Sequence, residues 1–294
     1  MKLIRHGAIG DEKPGLVDAR GGYRDLSGLV RDIAGPALSP ESLARLRMLD
    51  PDSLPLVPPD TRLGPCVGGT RNVVAIGLNY ADHAAETGSP IPSEPIIFNK
   101  APSSLCGPND TVIIPKSSTK TDWEVELAIV IGTRASYVHA NEALNFVAGA
   151  CICNDVSERE WQTERGGTWT KGKSAPTFGP LGPWLVTLDE IPDLKNLAMS
   201  LDVSGERRQT GSTATMIFDV PQIVAYVSHF MMLEPGDVIT TGTPPGVGLG
   251  MKPPRFLKEG DTMTLRIAGL GEQRQKVVAF DAWTAKAAAG EPTN

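Results

Sequence analysis

The nonapeptide Asp122-Trp123-Glu124-Val125-Glu126-Leu127-Ala128-Ile129-Val130 alternates around two glutamates and then runs on as unbroken apolar side chains. That pattern reads as a β-strand, in which residues i and i+2 share a face, so Glu124 and Glu126 stand side by side. Two carboxylates on one face beside a hydrophobic run repel each other and resist desolvation, unless they are protonated or share a cation. An isolated Glu-x-Glu is more often a solvated face than a pair of ligands. A second acidic element bears on that choice. The apolar run FVAGACIC leads into Asn154-Asp155-Val156-Ser157-Glu158-Arg159-Glu160, where a strand should give way to a helix. Asp155 then lies at a strand end, a usual place for a functional group. Three carboxylates make an all-oxygen ligand set, which suits Mg²⁺, Mn²⁺ or Ca²⁺ and disfavours zinc; a partly hydrated, Mg²⁺-like site fits best.

Outward from this stretch, short apolar strands dominate: NVVAIG, PIIFNK, TVIIP, PWLVT, LAMSLDV, DVITTG and TMTLRI. The one long helical pattern is VPQIVAYVSHFMML. Most connections are too short to hold a crossover helix, so the chain reads as a β-rich α+β fold and not as alternating βαβ units. Residues 1–50 read as short strands (KLIRHG, GLVDA, YRDLS) and a helix near ESLARLRML entered through Ser39. Five prolines between Pro51 and Gly69 read as a linker that sustains neither ladder nor helix. The expected organisation is a small N-terminal α/β module with its Pro-rich linker over 1–68 and a catalytic domain over 69–294. The tail AKAAAGEPTN is expected to fray.

Composition sets the class. The 294 residues are 40% hydrophobic and 21% charged, as in ordinary globular proteins. A net charge of −6 and a pI near 5.3 give no general attraction for nucleic acid or an anionic membrane. No apolar run approaches the roughly 20 residues of a spanning helix. The opening MKLIRHGAIGDEKPG breaks into glycine and charge before signal-peptide length, so a cytoplasmic address is expected. Four cysteines do not make a disulfide scaffold in a chain of this size. Cys151-Ile152-Cys153 reads as packed strand rather than a soft-metal site.

A third element is Gly77-Leu78-Asn79-Tyr80-Ala81-Asp82-His83-Ala84-Ala85-Glu86, where a strand passes into a short helix. His83 and Glu86 are three apart and share a helical face. A carboxylate that orients an imidazole makes a general base, although alone such a pair is more often a surface salt bridge. The other histidines have weaker cases: His6 in the N-terminal segment, His139 in a loop and His229 on the long helix. Two Gly/Pro-rich loops, 171–180 with Lys171 and Lys173 and 236–248 with Thr243, could present N–H groups and a lysine to an anion. Neither has dinucleotide or Walker spacing.

In this order the motifs resemble the fumarylacetoacetate hydrolase family: G-x-N-Y-x-x-H-x-x-E at 77–86, E-x-E at 124 and 126, N-D-V-S-x-R-x-x-Q at 154–162, K-S-x-x-T at 173–177 and T-G-T-P-x-G-V-G at 241–248. The resemblance spans about 71–282, and MKLIRHG…EKPGLVD resembles the small N-terminal module of many bacterial members. It implies a roll of mixed β-sheets, a homodimer, and Mg²⁺ or Mn²⁺ held by Glu124, Glu126 and Asp155 and chelated by a small 2-oxo acid substrate. It further implies that Arg159, Gln162, Lys173 and Thr243 bind substrate, and that His83 and Glu86 activate water, with Lys173 offsetting oxyanion charge. The activity it implies is hydrolysis of an acylpyruvate or 2,4-diketo-3-deoxy sugar acid to pyruvate and a carboxylic acid. Oxaloacetate decarboxylase, hydroxydienedioate isomerase and ureidoglycolate lyase activities go with the same site, and a non-catalytic ligand-binding protein on this scaffold is the alternative of another class. The chain departs from many relatives at Ala175-Pro176, where an aromatic and an acidic residue are expected; this bears on substrate identity more than on the metal site.

Overall fold

The computed structural model describes residues 1–88 and 90–288, and the apolar run after Glu124 is the strand Val125–Ile131 inside its larger sheet. Every residue of this strand is buried, because both of its faces are covered. Val125, Leu127, Ile129 and Ile131 pack with Met199, Leu201, Met263 and Leu265 of a second sheet. Ala128 and Val130 join a different cluster with Leu3, Leu16, Leu43 and Leu46. The period of two thus sorts one strand between two cores, and Glu124 and Glu126 have the parity of Ala128 and Val130.

Among the described residues eleven strands form the larger sheet. Its order runs Leu56–Val57, Tyr23–Asp25, Lys13–Val17, Lys2–His6, Gly179–Thr187, Val147–Asn154, Val125–Ile131, Val238–Thr240, Val73–Gly77, Ile96–Lys100, and Leu105–Cys106 pairs beside Gly179–Thr187. Every pair in this sheet is antiparallel except Val238–Thr240 with Val73–Gly77 and Leu105–Cys106 with Gly179–Thr187. This arrangement positions the site. The C-terminal ends of Val147–Asn154, Val238–Thr240 and Val73–Gly77 all arrive where Val125–Ile131 begins, with Val125 opposite Asn154 and Ala128 opposite Thr240. The second sheet orders Glu206–Ser212, Ala198–Val203, Thr262–Ile267, Gly271–Ala279 and Val112–Ile114.

The helix Val220–Phe230 is started by a capping box between Asp219 and Gln222, and Val220, Ile223, Val224 and Val227 present its apolar stripe to the core. Ser39 caps the helix Pro40–Arg47 through the Ser42 N–H, as expected from Ser39-Pro40-Glu41. All four cysteines are free and buried.

Several details differ from the sequence reading. The Pro-rich stretch does carry a ladder, because Leu56–Val57 pairs with Tyr23–Asp25. The flanking prolines are compatible with this, since a proline lacks only its donor; the Pro55 carbonyl accepts from the Asp25 N–H at 2.9 Å. Nor does the sheet stop at the linker: Lys2–His6 pairs with Gly179–Thr187, and Leu3 and Leu16 share a core with Ala128 and Val130. Two strands, Glu206–Ser212 and Gly271–Ala279, are too polar to stand out as apolar runs. The second alternates all the same, with Gln273, Gln275 and Val277 buried between exposed Glu272, Arg274 and Lys276. Gln273 Nε2 donates to the carbonyls of Ile152, Gly182 and Pro180 at 2.9, 3.0 and 3.3 Å, next to the register shift between Ala150 and Ile152 that accommodates Pro183. Finally, the helix Phe280–Ala288 takes in the first four residues of the tail expected to fray; the rest, 289–294, lies outside the described residues.

Candidate active site

Glu124, Glu126 and Asp155 meet at the strand ends just described, all buried, with one carboxylate oxygen of each within 4.8 Å of the others. The Asp155 N–H donates to the Glu124 carbonyl at 2.9 Å, which continues the ladder by one residue and brings the two side chains onto one face. Arg159, Gln162 and Lys173 are buried around them, and His83, Thr243 and these three line one cavity of about 230 Å³ with Glu124 and Glu126.

Charge is unevenly distributed. Glu124 Oε1 lies 2.6 Å from Arg159 Nη1 and Oε2 lies 2.8 Å from Lys173 Nζ. Lys173 Nζ also reaches Asp155 Oδ2 at 2.7 Å, and Lys100 Nζ stands 2.6 Å from Asp155 Oδ1. Arg159 is itself shared with Asp122, at 2.8 Å. Glu126 accepts from the Gly242 N–H at 2.9 Å, and among the described residues no cation pairs with it. Burial alone would raise the Glu124 pKa, but Lys173 and Arg159 outweigh it and hold this carboxyl far below its usual range. Glu126 goes the other way: burial, then the charges of Asp155 and Glu124, push it well above its ordinary value. Burial would lower Lys173, yet Asp155 and Glu124 raise it, so it stays an ammonium.

These residues fit a divalent cation. Among the described residues one buried carboxylate has no counter-charge, and Asp155 Oδ1, though close to Lys100, has no aligned hydrogen-bond donor. Both are lone pairs a hard cation would take, and the donors are all oxygen. Glu124, Glu126 and Asp155 are the residues that would hold it.

The histidine pair forms on the helix Ala81–Thr87, with His83 Nδ1 3.1 Å from Glu86 Oε2. His83 is buried against the cavity, while Glu86 is partly exposed and ties the pair to the opposite loop by accepting from the Gly246 N–H at 3.0 Å. The turn leading into this helix holds Leu78 at φ 51°, a left-handed conformation unusual outside glycine. Asn79 fastens that turn: its amide donates to the carbonyls of Thr241 and Phe218 at 2.8 and 3.0 Å, and its oxygen accepts from the Phe218 N–H. Lys173 follows Gly172, where a Cβ would come within 2.5 Å of the Gln162 nitrogen; only glycine lets the short helix Thr170–Lys173 approach closely enough. Thr243 reaches the cavity, but its hydroxyl donates to the Val125 carbonyl at 3.0 Å and accepts from Gln209 Nε2 at 2.8 Å. His6, His139 and His229 do not line the cavity.

Sequence reasoning missed Lys100, Asp122, Phe98 and Trp169. Asp122 continues the i, i+2 spacing of Glu124 and Glu126, and a third acid in phase was its available signal. It accepts from the N–H groups of Gly248 and Leu249 at 2.7 and 3.0 Å as well as from Arg159, so it joins the arginine to the 241–250 loop. Lys100 ends an apolar strand with a charge, the one cue to its role.

Residues 72–278 match the family model described as fumarylacetoacetate (FAA) hydrolase C-terminal. A protein of Burkholderia ambifaria, provisionally named a hydrolase, is 61% identical over 94% of this chain and 98% of its own length. Among solved structures, the fumarylacetoacetate hydrolase of Exiguobacterium antarcticum is 37% identical, with a TM-score of 0.81 over 95% of this chain and 99% of that one. The maleylpyruvate hydrolase of Sphingobium sp. SYK-6, solved with manganese(II) and pyruvate, is 28% identical with a TM-score of 0.79 over the same shares. The 2-hydroxyhepta-2,4-diene-1,7-dioate isomerase of Mycobacterium marinum is 30% identical with a TM-score of 0.73, again over 95% and 99%.

Proposed function

This chain belongs to the fumarylacetoacetate hydrolase family, and we propose that it cleaves the C3–C4 bond of a 2,4-dioxo acid with water, giving pyruvate and a carboxylic acid. The observation that carries the proposal is the joint lining of one small cavity by an under-compensated carboxylate cluster, a buried lysine and a His83 oriented by Glu86. Each part answers a need of the reaction.

Glu124, Glu126 and Asp155 would hold Mg²⁺ or Mn²⁺, which would supply Lewis-acid polarisation of the 2-oxo acid end. Arg159 and Gln162, bonded to each other at 3.0 Å, orient the substrate's carboxylate end, and Thr243 lines the same cavity. His83, with Glu86 at Nδ1, takes a proton from water through Nε2 as the oxygen adds to C4. Lys173 carries its positive charge toward the oxyanion that develops on the C4 oxygen. When the C3–C4 bond breaks, its electron pair stays on C3, and the proton held by His83 completes pyruvate.

The test is pyruvate release from a panel of 2,4-dioxo acids with Mg²⁺ or Mn²⁺ and with chelator. Metal-dependent release supports the reading; release at an unchanged rate in chelator overturns it. A second reading, isomerisation without hydrolysis, draws support from the similarity to the M. marinum isomerase. Labelled water separates the two, because only hydrolysis puts solvent oxygen into the released acid.

A further inference from the structure

The cavity lining is of two kinds. The carboxylates stand with Arg159 and Lys173, and the apolar part is Phe98 and Trp169, whose rings meet in a T-shaped contact at 5.1 Å, with Val247 and Leu249. Phe98 touches both kinds: the Lys173 ammonium lies 5.2 Å from its ring centroid, and Trp169 packs against it. Trp169 in turn rests on Gly77, where an added Cβ would come within 2.4 Å of the indole ring. Thr163 lines the same space, but its hydroxyl donates to the Arg159 carbonyl at 2.8 Å and so serves its own helix.

We infer that Trp169, seated on Gly77 and braced by Phe98, is a specificity-determining wall that selects substrates with a short apolar acyl chain over hydroxylated chains of the same length. This rests on the proposed hydrolase reading and names the substrate class for that site. Hydroxyl groups set against the two rings would lose water without gaining partners from them, a loss that burial of a methylene avoids. A volume of about 230 Å³ is below the ~300–1,000 Å³ of pockets for drug-sized ligands, so the chain is short. Of the two acid types that the sequence resemblance implies, the wall favours an acylpyruvate over a 2,4-diketo-3-deoxy sugar acid.

The experiment uses the full chain loaded with Mn²⁺. Values of kcat/KM are compared for 2,4-dioxopentanoate, 2,4-dioxohexanoate and 5,6-dihydroxy-2,4-dioxohexanoate, and Kd is measured by calorimetry for 2-oxo acids of increasing chain length. For the wild type, each buried methylene should improve Kd by about fourfold until the wall is met, and the dihydroxylated substrate should be at least about tenfold poorer than its apolar counterpart. Trp169→Ala should abolish most of both differences and admit longer chains. Gly77→Ala, which pushes on the indole, should lower kcat/KM for the hexanoate more than for the pentanoate. Equal selectivity in wild type and Trp169→Ala, or a preference for the hydroxylated chain, overturns the inference. If Trp169→Ala does not fold, Trp169→Leu and Gly77→Ala carry the same comparison. Absence of any turnover would defeat the hydrolase reading alone, since the chain-length dependence of Kd would still test the wall.

Discussion

Glu124 and Glu126 stand two residues apart on one strand face in opposite electrostatic settings: Glu124 is clasped by Arg159 and Lys173, and among the described residues Glu126 has only the Gly242 N–H. The first is held ionised by its two cations, and the second resists ionisation in the absence of added charge. A site of this kind is incomplete by one positive charge, and four consequences are open to measurement.

The metal-free protein should lose stability as pH rises. Because the native pKa of Glu126 lies above its unfolded value of about 4.3, the native state keeps a proton that the unfolded chain has released, and stability falls with pH through that window. Glu124 acts in the opposite sense, but only as pH falls below about 4.3. Thermal melts in chelator from pH 5 to 8 should therefore show a decline that Glu126→Gln flattens. His6, lowered by burial, titrates alike in both proteins and cancels in the comparison. Identical pH slopes would contradict the assignment.

Mn²⁺ should raise the melting temperature of the wild type and do so more strongly at higher pH, since binding displaces a proton from Glu126. In Glu126→Gln the carboxylate is gone, and the metal-induced shift should shrink to a small fraction of the wild-type value. Calorimetric titration with Mn²⁺ checks the same point, and an undiminished affinity in the variant would count against these ligands.

His83→Ala should lower kcat for a cleaved 2,4-dioxo acid by about 10²–10⁴ while leaving Mn²⁺ binding intact. Glu86→Gln should fall between it and the wild type, because the amide can still meet the Gly246 N–H but cannot stabilise the imidazolium as a carboxylate does. Steady-state kinetics beside a Mn²⁺ titration provides the check; equal losses in kcat and metal affinity would mean that the histidine supports the ligands instead.

Lys100→Met should destabilise the fold by about 3 kcal/mol, the low end of the cost of breaking a buried ion pair, because Lys173 still pairs with the other Asp155 oxygen. Lys100 is 2% exposed and its ammonium stands 2.6 Å from Asp155. Urea denaturation in chelator measures this directly. Added Mn²⁺ should recover part of the loss by taking over the freed aspartate oxygen.

What the sequence disclosed follows local rules. Period two put Glu124 and Glu126 on one face, three-residue spacing paired His83 with Glu86, and the helical pattern of VPQIVAYVSHFMML marked the helix Val220–Phe230. What it hid depends on distant strands. Lys100 is 55 residues before Asp155, and only the fold brings them together. Phe98 and Trp169 are 71 residues apart, and a lone aromatic in a loop gives no hint that it will rest on a glycine. The strand Gly271–Ala279 escaped because its buried positions hold Gln273 and Gln275, whose amides satisfy the carbonyls of Ile152 and Gly182 in two strands and of Pro108 in a turn.

The pairing of Lys2–His6 with Gly179–Thr187 reaches further than its place at the far side of the sheet suggests. Gly179–Thr187 begins six residues after Lys173, and its other neighbour, Val147–Asn154, runs on to Asp155. A chain shortened to begin after residue 68 would leave a row of unpaired amides along that strand and uncover the apolar surface that Leu3 and Leu16 occupy. Such a template recruits strands from other molecules. The first strands bring no reacting group to the cavity, yet they are what stands between the lysine's own scaffold and polymerisation.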